Sequence, residues 1–457
     1  MRRFRLVRGR LAGLMLAALL IVVPGLLVAA GARSVCDPGP CPAHPIGPYG
    51  QAVEDRFTFA HQALTGDGGI TVRLTSMTGI ITYPPPGHDR IVTGLVPWAK
   101  AGLMIKESVR QGSPYAAVML TGSHGTRMQY NFTEDMGGRT GTSPRWLRLT
   151  RSGERITGYE SPDGEQWTTI GTATLPGLPA TVRIGLFAAS PGDMTVDRSK
   201  PGGAVQVRFT QASATFDHVS LQGGWSTDEV GGEGVQTDWE RSHRANGLVE
   251  SGDTLTVTGT GDIAPRFDAP RIETTLIGTF AALIVIVVMG VRTREPLKLA
   301  AQAFVTGTIA ACVEPVGTAI LRGNGTQVLP VSLLTEARVI IGTGVLLAAS
   351  AVLAAGVGAL LRRKFMAATV VFALLILPFL LAFAGILPDA VTAWLFRITP
   401  AAGFAIQQSI PEYAHVIGYY VPTQGFYPLP PLAGLAVLAA YAAAAFSSAR
   451  SRSRSGR

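Results

Sequence analysis

The sequence predicts an all-β sandwich inserted between one apolar helix and a domain of five more, a multi-domain chain with six membrane spans in total. Three observations lead there: an apolar run at 11–32, a cluster of apolar runs from about Thr275 onward, and between them a polar, Gly-rich stretch of short alternating segments. A bilayer core takes about 20 mostly apolar residues of helix, whereas period-two alternation between Gly and Asp turns marks strands.

Composition agrees with two physical classes joined in one chain. Of 457 residues, 47% are apolar and 15% charged, too apolar for a soluble protein and too charged in the middle for a pure bundle. The net charge of +9 does not point to nucleic acid. Arg2, Arg3, Arg5, Arg8 and Arg10, then Arg292, Arg294 and Lys298, then Arg362, Arg363 and Lys364, then Arg450, Arg452, Arg454 and Arg457 all sit beside apolar runs. This is the distribution of cytoplasmic loops in membrane proteins.

Taken in order, a cytoplasmic basic segment (1–10) precedes a first span at 11–32. A rival reading of that run is a cleaved signal peptide ending near Val28-Ala29-Ala30, but its length favours an uncleaved anchor. A Pro/Gly-rich linker (33–52) follows, in which Cys36 and Cys41 flank a turn and would pair in an oxidising exterior. Cys312, alone in an apolar run, reads as a core packer. The later spans fall at about 275–291, 299–321, 339–361, 365–387 and 431–447, with a cytoplasmic basic tail at 449–457. With the N-terminus inside, every strongly basic loop also falls inside. The stretch 389–427 is apolar but broken by Pro400, Pro411 and Pro422, and reads as an external re-entrant or interfacial segment.

The extracellular part spans 53–222. Ile70-Thr71-Val72-Arg73-Leu74, Trp146-Leu147-Arg148-Leu149 and Val205-Gln206-Val207-Arg208-Phe209 alternate, with turns such as Gly66-Asp67-Gly68-Gly69 and Pro162-Asp163-Gly164 between runs. Residues 223–272 read as a stalk or small β-addition. Within 53–222, Ala101-Gly102-Leu103-Met104-Ile105-Lys106-Glu107-Ser108, Trp146 to Arg151, Gly158-Tyr159, Ser161-Pro162-Asp163-Gly164 with Trp167, Ile184-Gly185-Leu186 and Ala214-Thr215-Phe216-Asp217-His218 occur in sequence. This string resembles the concanavalin-like jelly-roll modules of secreted bacterial proteins, near the laminarin-binding and enolase-regulation types. The resemblance implies a fold more than a ligand.

Glycosidases on that sandwich carry Glu-x-Asp-x-x-Glu on one strand, a string absent here; Glu134, Asp135 and Glu154 lie near turns and read as solvated loop residues. Trp98, Tyr115 and Tyr159 are candidate sugar-stacking rings, the chemistry of envelope-glycan binding. Trp146 and Trp167, inside strand-like runs, are assigned to the sandwich core. His61, His88, His124 and His218 have no metal-ligand spacing.

The spans joined by a basic loop at 292–298, the Gly-rich end Gly356-Val357-Gly358-Ala359-Leu360-Leu361-Arg362-Arg363, the Pro-containing span with Leu377-Pro378-Phe379 and the last span with its basic tail resemble the permease subunit of a type-2 ATP-binding-cassette transporter. That resemblance implies a bacterial plasma-membrane exporter subunit, working as a homo- or heterodimer, non-catalytic and without cofactor or metal. It also implies a separate ATPase partner, and the chain has no Gly-x-x-x-x-Gly-Lys-Ser/Thr loop. The ATPase-coupling loop would be Arg292, Arg294, Glu295 and Lys298, shorter than the amphipathic coupling helix of such permeases. Glu314 is an intramembrane carboxylate and a functional candidate. Gly344, Gly356 and Gly358 suit close helix packing. The alternative is a non-transporting, membrane-anchored glycan receptor or adhesin.

Overall fold

The computed structural model of the chain describes residues 2–36, 41–82, 90–198, 200–232, 246–361 and 363–455. A β-domain and a helical domain are both present. The first helix, α1 (Arg2–Gly31), leads through a linker closed by the Cys36–Cys41 disulfide into a sandwich of two large antiparallel sheets.

The seven-stranded sheet runs Ser226–Val230, Phe57–Thr65, Thr181–Ala189, Lys100–Lys106, Tyr115–Thr121, Thr126–Tyr130, Glu134–Gly137. The other follows Thr168–Thr174, Arg155–Ser161, Arg145–Ser152, Gly68–Thr82, Thr210–Asp217, Thr254–Gly259, Gly247–Ser251, with Ile91–Thr93 beside Gly68–Thr82. Alternation dictates which side chains meet between them. Ile70, Val72 and Leu74 face Leu103, Ile105, Val118 and Ile184 in one core, while Thr71 and Arg73 point out. Each such side chain contributes roughly 1.5–3 kcal/mol on burial.

Of the two readings of 223–272, stalk or small β-addition, the strands follow the second, and they are woven into the sandwich itself. Ser226–Val230 extends the first sheet, Gly247–Ser251 and Thr254–Gly259 extend the second, and Ile263–Pro265 pairs with Val53–Asp55. The sandwich therefore runs from Val53 to Pro265, and both tethers to the helical domain meet in the two-stranded ribbon of Val53–Asp55 and Ile263–Pro265.

That ribbon lies across the outer face of the seven-stranded sheet and is held there by two charged pairs. Along the fully buried strand Lys100–Lys106, alternate residues Ala101, Leu103 and Ile105 enter the core, so both lysines face the ribbon. Lys106 Nζ reaches Asp55 Oδ2 at 2.8 Å, and Lys100 Nζ reaches Asp262 Oδ1 at 2.6 Å. Lys106 also donates to the Ser113 carbonyl, and the rings of Tyr115 and Phe132 lie 5.5 Å away.

After a 3₁₀ turn (Ile272–Leu276) come α2 (Thr279–Gly290), α3 (Pro296–Ala311), α4 (Val313–Gly323), α5 (Leu333–Leu360), α6 (Lys364–Leu375), α7 (Leu377–Phe383), α8 (Asp389–Ile398) and α9 (Pro431–Ser455). Among the described residues, Gly9–Gly31, Pro296–Gly323, Leu333–Leu360 and Pro431–Arg452 are long and apolar enough to cross a bilayer. The pair α6 and α7, bent by 49° just before Pro378, is a fifth if the two helices are taken as one broken span. The span expected at 275–291 is met by the 12-residue α2, only about 18 Å long. Small residues bring the helices together as expected: a Cβ on Gly344 would stand 2.6 Å from the Phe304 carbonyl oxygen, and one on Gly358 2.7 Å from the Val291 backbone. Pro400–Gln407 is buried, with Gly403 against Leu346 of α5 and Leu438 of α9, so the Pro-broken stretch does insert into the helical domain. Cys312 is not a core packer: it is exposed at the α3–α4 junction, its thiol turned to the Thr308 carbonyl.

Lys106→Met leaves Asp55 buried without a counter-charge and is expected to destabilise the sandwich by about 3–5 kcal/mol. The double variant Lys106→Met, Asp55→Leu is expected to recover much of that loss. Thermal unfolding of the full chain in detergent, followed by tryptophan fluorescence, reads both.

Candidate functional site: a cavity between sandwich and helical domain

The rings expected to stack on a ligand do not converge. Tyr115 is fully buried beneath the ribbon, edge-on to Phe132, and burial pushes its hydroxyl well above the usual tyrosine range. Trp98 is closed on both sides, stacked on His124 at 3.9 Å with Arg127 5.7 Å from its ring and His415 at its edge. Tyr159 stands half-buried on the outer face of the opposite sheet, between Arg148 and Thr169 in register. Trp146 and Trp167 are on that outer face too, not in the core. Arg148 covers Trp167 at 3.9 Å, and Trp146 packs against Gly164 with Arg73 and His218 nearby. The strand of Trp146 alternates, with Leu147 and Leu149 in the inward positions, and Trp167 lies just before the strand Thr168–Thr174.

The acids do not assemble either. Asp135 is tied to Arg127 and Gln129, whose hydrogen bonds outweigh burial and hold its carboxyl below the ordinary range. Glu154 accepts from the Gly177 amide, and Glu134 is exposed at an edge strand. Among the described residues no three His, Cys, Asp or Glu side chains gather as a metal set. His88 lies outside the described residues, as does Arg362.

What the fold does build is a cavity of about 820 Å³ where the sandwich meets the helical domain. The ribbon is its floor. Val53 and Asp55 point into the sheet, so Glu54 and Arg56 point the other way, into the cavity. One wall is the hairpin Asp193–Asp197/Ala204–Arg208, which turns Met194, Val205 and Val207 inward, with Phe209 following. The second wall is the chain leaving the sandwich, with Arg266 held by Asp268 at 3.0 and 2.8 Å. The third is the segment 416–426, which belongs to the helical domain.

Several contacts lock these walls. His415 Nε2 lies 2.9 Å from the Phe132 carbonyl oxygen, which is presented by a turn in which Asn131 and Phe132 both have positive φ. The Gly202 amide at the hairpin tip donates to the Phe383 carbonyl at the end of α7, at 2.6 Å. Arg198 pairs with Asp389 at 2.5 Å, and Arg271 lies over Phe426 at 4.5 Å while bonding to Glu273.

Within the cavity Glu54 has no hydrogen bond or ion pair among the described residues. Burial, together with Asp262 and Asp268 nearby, pushes its carboxyl up to about 7 against the opposing charges of Arg56 and Arg266. Two guanidinium nitrogens in the lining, Arg56 Nε and Arg271 Nη1, are buried without a partner. No sequence signal marks these residues as a group, since they join only when the ribbon and the segment 416–426 come together.

At the other end of the helical domain, Arg10 Nη1 pairs with Glu295 Oε2 at 2.8 Å and Arg10 Nη2 donates to Thr293, while Lys298 stands 3.8 Å from Glu295. The basic start of α1 and the loop 292–298, including Arg292 and Arg294, thus share one side. Glu314 is buried in the first turn of α4: Thr318 donates to its Oε1 at 3.0 Å, and its Oε2 is unpartnered. Although it lies toward the end of its apolar run, it does not reach the surface.

No family model matches the chain, and no curated protein matches it. Among solved structures, a functionally unknown protein from Saccharomyces cerevisiae is similar over 41% of this chain and 82% of its own, at 13% identity and a TM-score of 0.22. A mutant of the GH43 protein BlXynB from Bacillus licheniformis is similar over 28% of this chain and 29% of its own, at 14% identity and a TM-score of 0.18. Likenesses this slight assign neither fold nor activity.

Glu54 binds its proton more tightly folded than unfolded, so stability falls as pH rises from about 4.5 to about 7 and stays lower above. Glu54→Gln is expected to leave the chain unchanged below pH 4.5 and to stabilise it above pH 7 by on the order of 1 kcal/mol. Melting temperature against pH for the two chains checks this.

Proposed function

We propose that the chain is a permease-type subunit of an ATP-binding-cassette exporter in a bacterial plasma membrane, with a concanavalin-like sandwich on its outer face. In this reading the chain crosses the bilayer six times, through α1, α2 with its preceding 3₁₀ turn, α3 with α4, α5, α6 with α7, and α9. Both termini lie inside. The observation that carries the reading is the cavity shared by the sandwich and the helical domain. A module displayed for its own sake needs one anchor and a free surface, whereas this one is fixed to the helices and encloses space with them. Ligand binding there would be felt by the helices directly. The hydrolysis of ATP would belong to a separate subunit docking near Arg292, Arg294, Glu295 and Lys298.

The short connections at 292–295 and 361–363 favour a second reading. Neither has room for a coupling helix, as expected of a non-transporting receptor whose helices anchor it. Purification of the tagged chain from its native membrane in mild detergent separates the two. The permease reading expects a stoichiometric ATPase in the eluate, and its reproducible absence with intact chain favours the receptor. If transport occurs, Glu314→Gln is expected to slow it severalfold without affecting membrane insertion, as measured by export from cells or vesicles.

A further inference from the structure

The cavity holds an uneven set of groups. Of its acidic residues, Asp262 and Asp268 are engaged with Lys100 and Arg266. Among the described residues Glu54 is unbonded, while Arg56 makes no ion pair and buries its Nε without a partner. A desolvated guanidinium N–H left unmade costs more than it does in water, and an acidic oxygen is the partner that satisfies it best. Arg271 Nη1, in the same lining, is a second such donor. The hairpin wall carries hydrocarbon, Val205, Val207 and Phe209, all substantially exposed, beside Arg208, which is bonded to Asp193. The hairpin carrying that wall rests its tip on the last turn of α7, the end of a helix pair apolar enough to cross a bilayer.

We propose that this cavity binds an anionic amphiphile, its acidic head on Arg56 and its hydrocarbon along Val205, Val207 and Phe209. The lipid leaflet on the sandwich side is the natural source. A volume of about 820 Å³ accommodates a headgroup with the first part of its chains. Glu54, two residues from Arg56 on the same face of the ribbon, acts as a proton-dependent gate: protonated, it donates a hydrogen bond to the acidic head, and ionised, it repels it. The charged and titratable groups around it are Arg56 just beyond its strand, Asp262, Arg266 and Asp268 on the chain leaving the sandwich, Arg208 on the hairpin, bonded to Asp193, and Tyr419 from the helical domain. With its midpoint at about 7, binding weakens by about tenfold between pH 6 and pH 8.

This inference rests on the membrane reading but not on coupling to ATP, and its test contains no ATPase, so a missing partner subunit and a missing ligand are separate results. Dioctanoyl phosphatidylglycerol, whose phosphodiester does not titrate in this range, is titrated into the detergent-purified full chain at pH 6 and pH 8. Dioctanoyl phosphatidylcholine and water-soluble glycerophosphoglycerol serve as comparison ligands. Expected are tighter binding of the phosphatidylglycerol than of either comparison, a loss of about tenfold in Arg56→Gln, and in Glu54→Gln an affinity at pH 8 equal to that of the natural chain at pH 6. A variant that gains affinity cannot be explained by misfolding. Equal binding of phosphatidylcholine, equal binding of glycerophosphoglycerol, or an unchanged Arg56→Gln would each overturn the proposal. The last would exclude Arg56 as the contact, and the first two would exclude the acidic head or the hydrocarbon.

Discussion

Two lysines with no access to water decide how the sandwich is held. Lys100 and Lys106 sit on one face of a strand whose other face is in the hydrophobic core, and each is neutralised by an aspartate from a different tether. Removing a lysine's hydration is expensive, and only a close counter-charge with further hydrogen bonds makes it tolerable. The Ser113 carbonyl supplies one for Lys106, and the Ile263 carbonyl lies 3.5 Å from Lys100. Burial nonetheless drives the Lys106 ammonium toward lower pKa, with Asp55 opposing it. The entering and leaving strands can therefore take only one arrangement on this sheet, since any other leaves a charge buried alone.

The rest of the molecule follows from that arrangement. With the ribbon pinned, Glu54 and Arg56 must project away from the sheet, and the chain leaving at Pro265 must pass Arg266, Asp268 and Arg271 along the same side. The helical domain closes the space with residues that would otherwise have little reason to be ordered. His415 enters beside Trp98, Tyr413 and Ile410 pack with Ala52 and Leu329, and Phe426 stacks under Arg271. In the helices themselves the same economy holds at smaller scale. Gln407, in the inserted 3₁₀ turn, donates to Thr279 and Thr343, and Arg338 caps the carbonyls of Ile406 and Gln408. Arg338 thereby satisfies two carbonyls of the inserted segment that have no partner in regular secondary structure.

Much of the fold was legible in the sequence because it depends on local periodicity. Strands such as Gly68–Thr82 and Arg145–Ser152 alternate visibly, the long apolar runs have helical length, and Gly344 and Gly358 sit where small residues are needed. The misjudged positions turn on partners far away in the chain. Trp146 and Trp167 read as core because they are large and in strand-like runs, yet the alternation of Leu147 and Leu149 had already assigned the inward positions of Trp146's strand, and Trp167 falls just before the strand Thr168–Thr174. Gly223 to Pro270 read as a stalk or small β-addition, and the choice stayed open because strand partners at separations such as Ala212 to Gly259 leave no local mark. The cavity was invisible for the same reason: Lys100 finds Asp262 across 162 residues, and nothing near either announces the other.

The sandwich and the helical domain meet as one body, and a distance measured between them puts this to the test. Spin labels at Val249 on the sandwich and Leu334 at the start of α5, both well exposed, can be introduced as cysteines with Cys312 replaced by Ser and the Cys36–Cys41 pair left oxidised. Pulsed electron–electron resonance on the full chain in nanodiscs is then expected to give one narrow distance peak, broadened when Lys106→Met is added. A broad distribution in the chain with both lysines intact would mean that the sandwich swings freely, and the shared cavity would lose its basis.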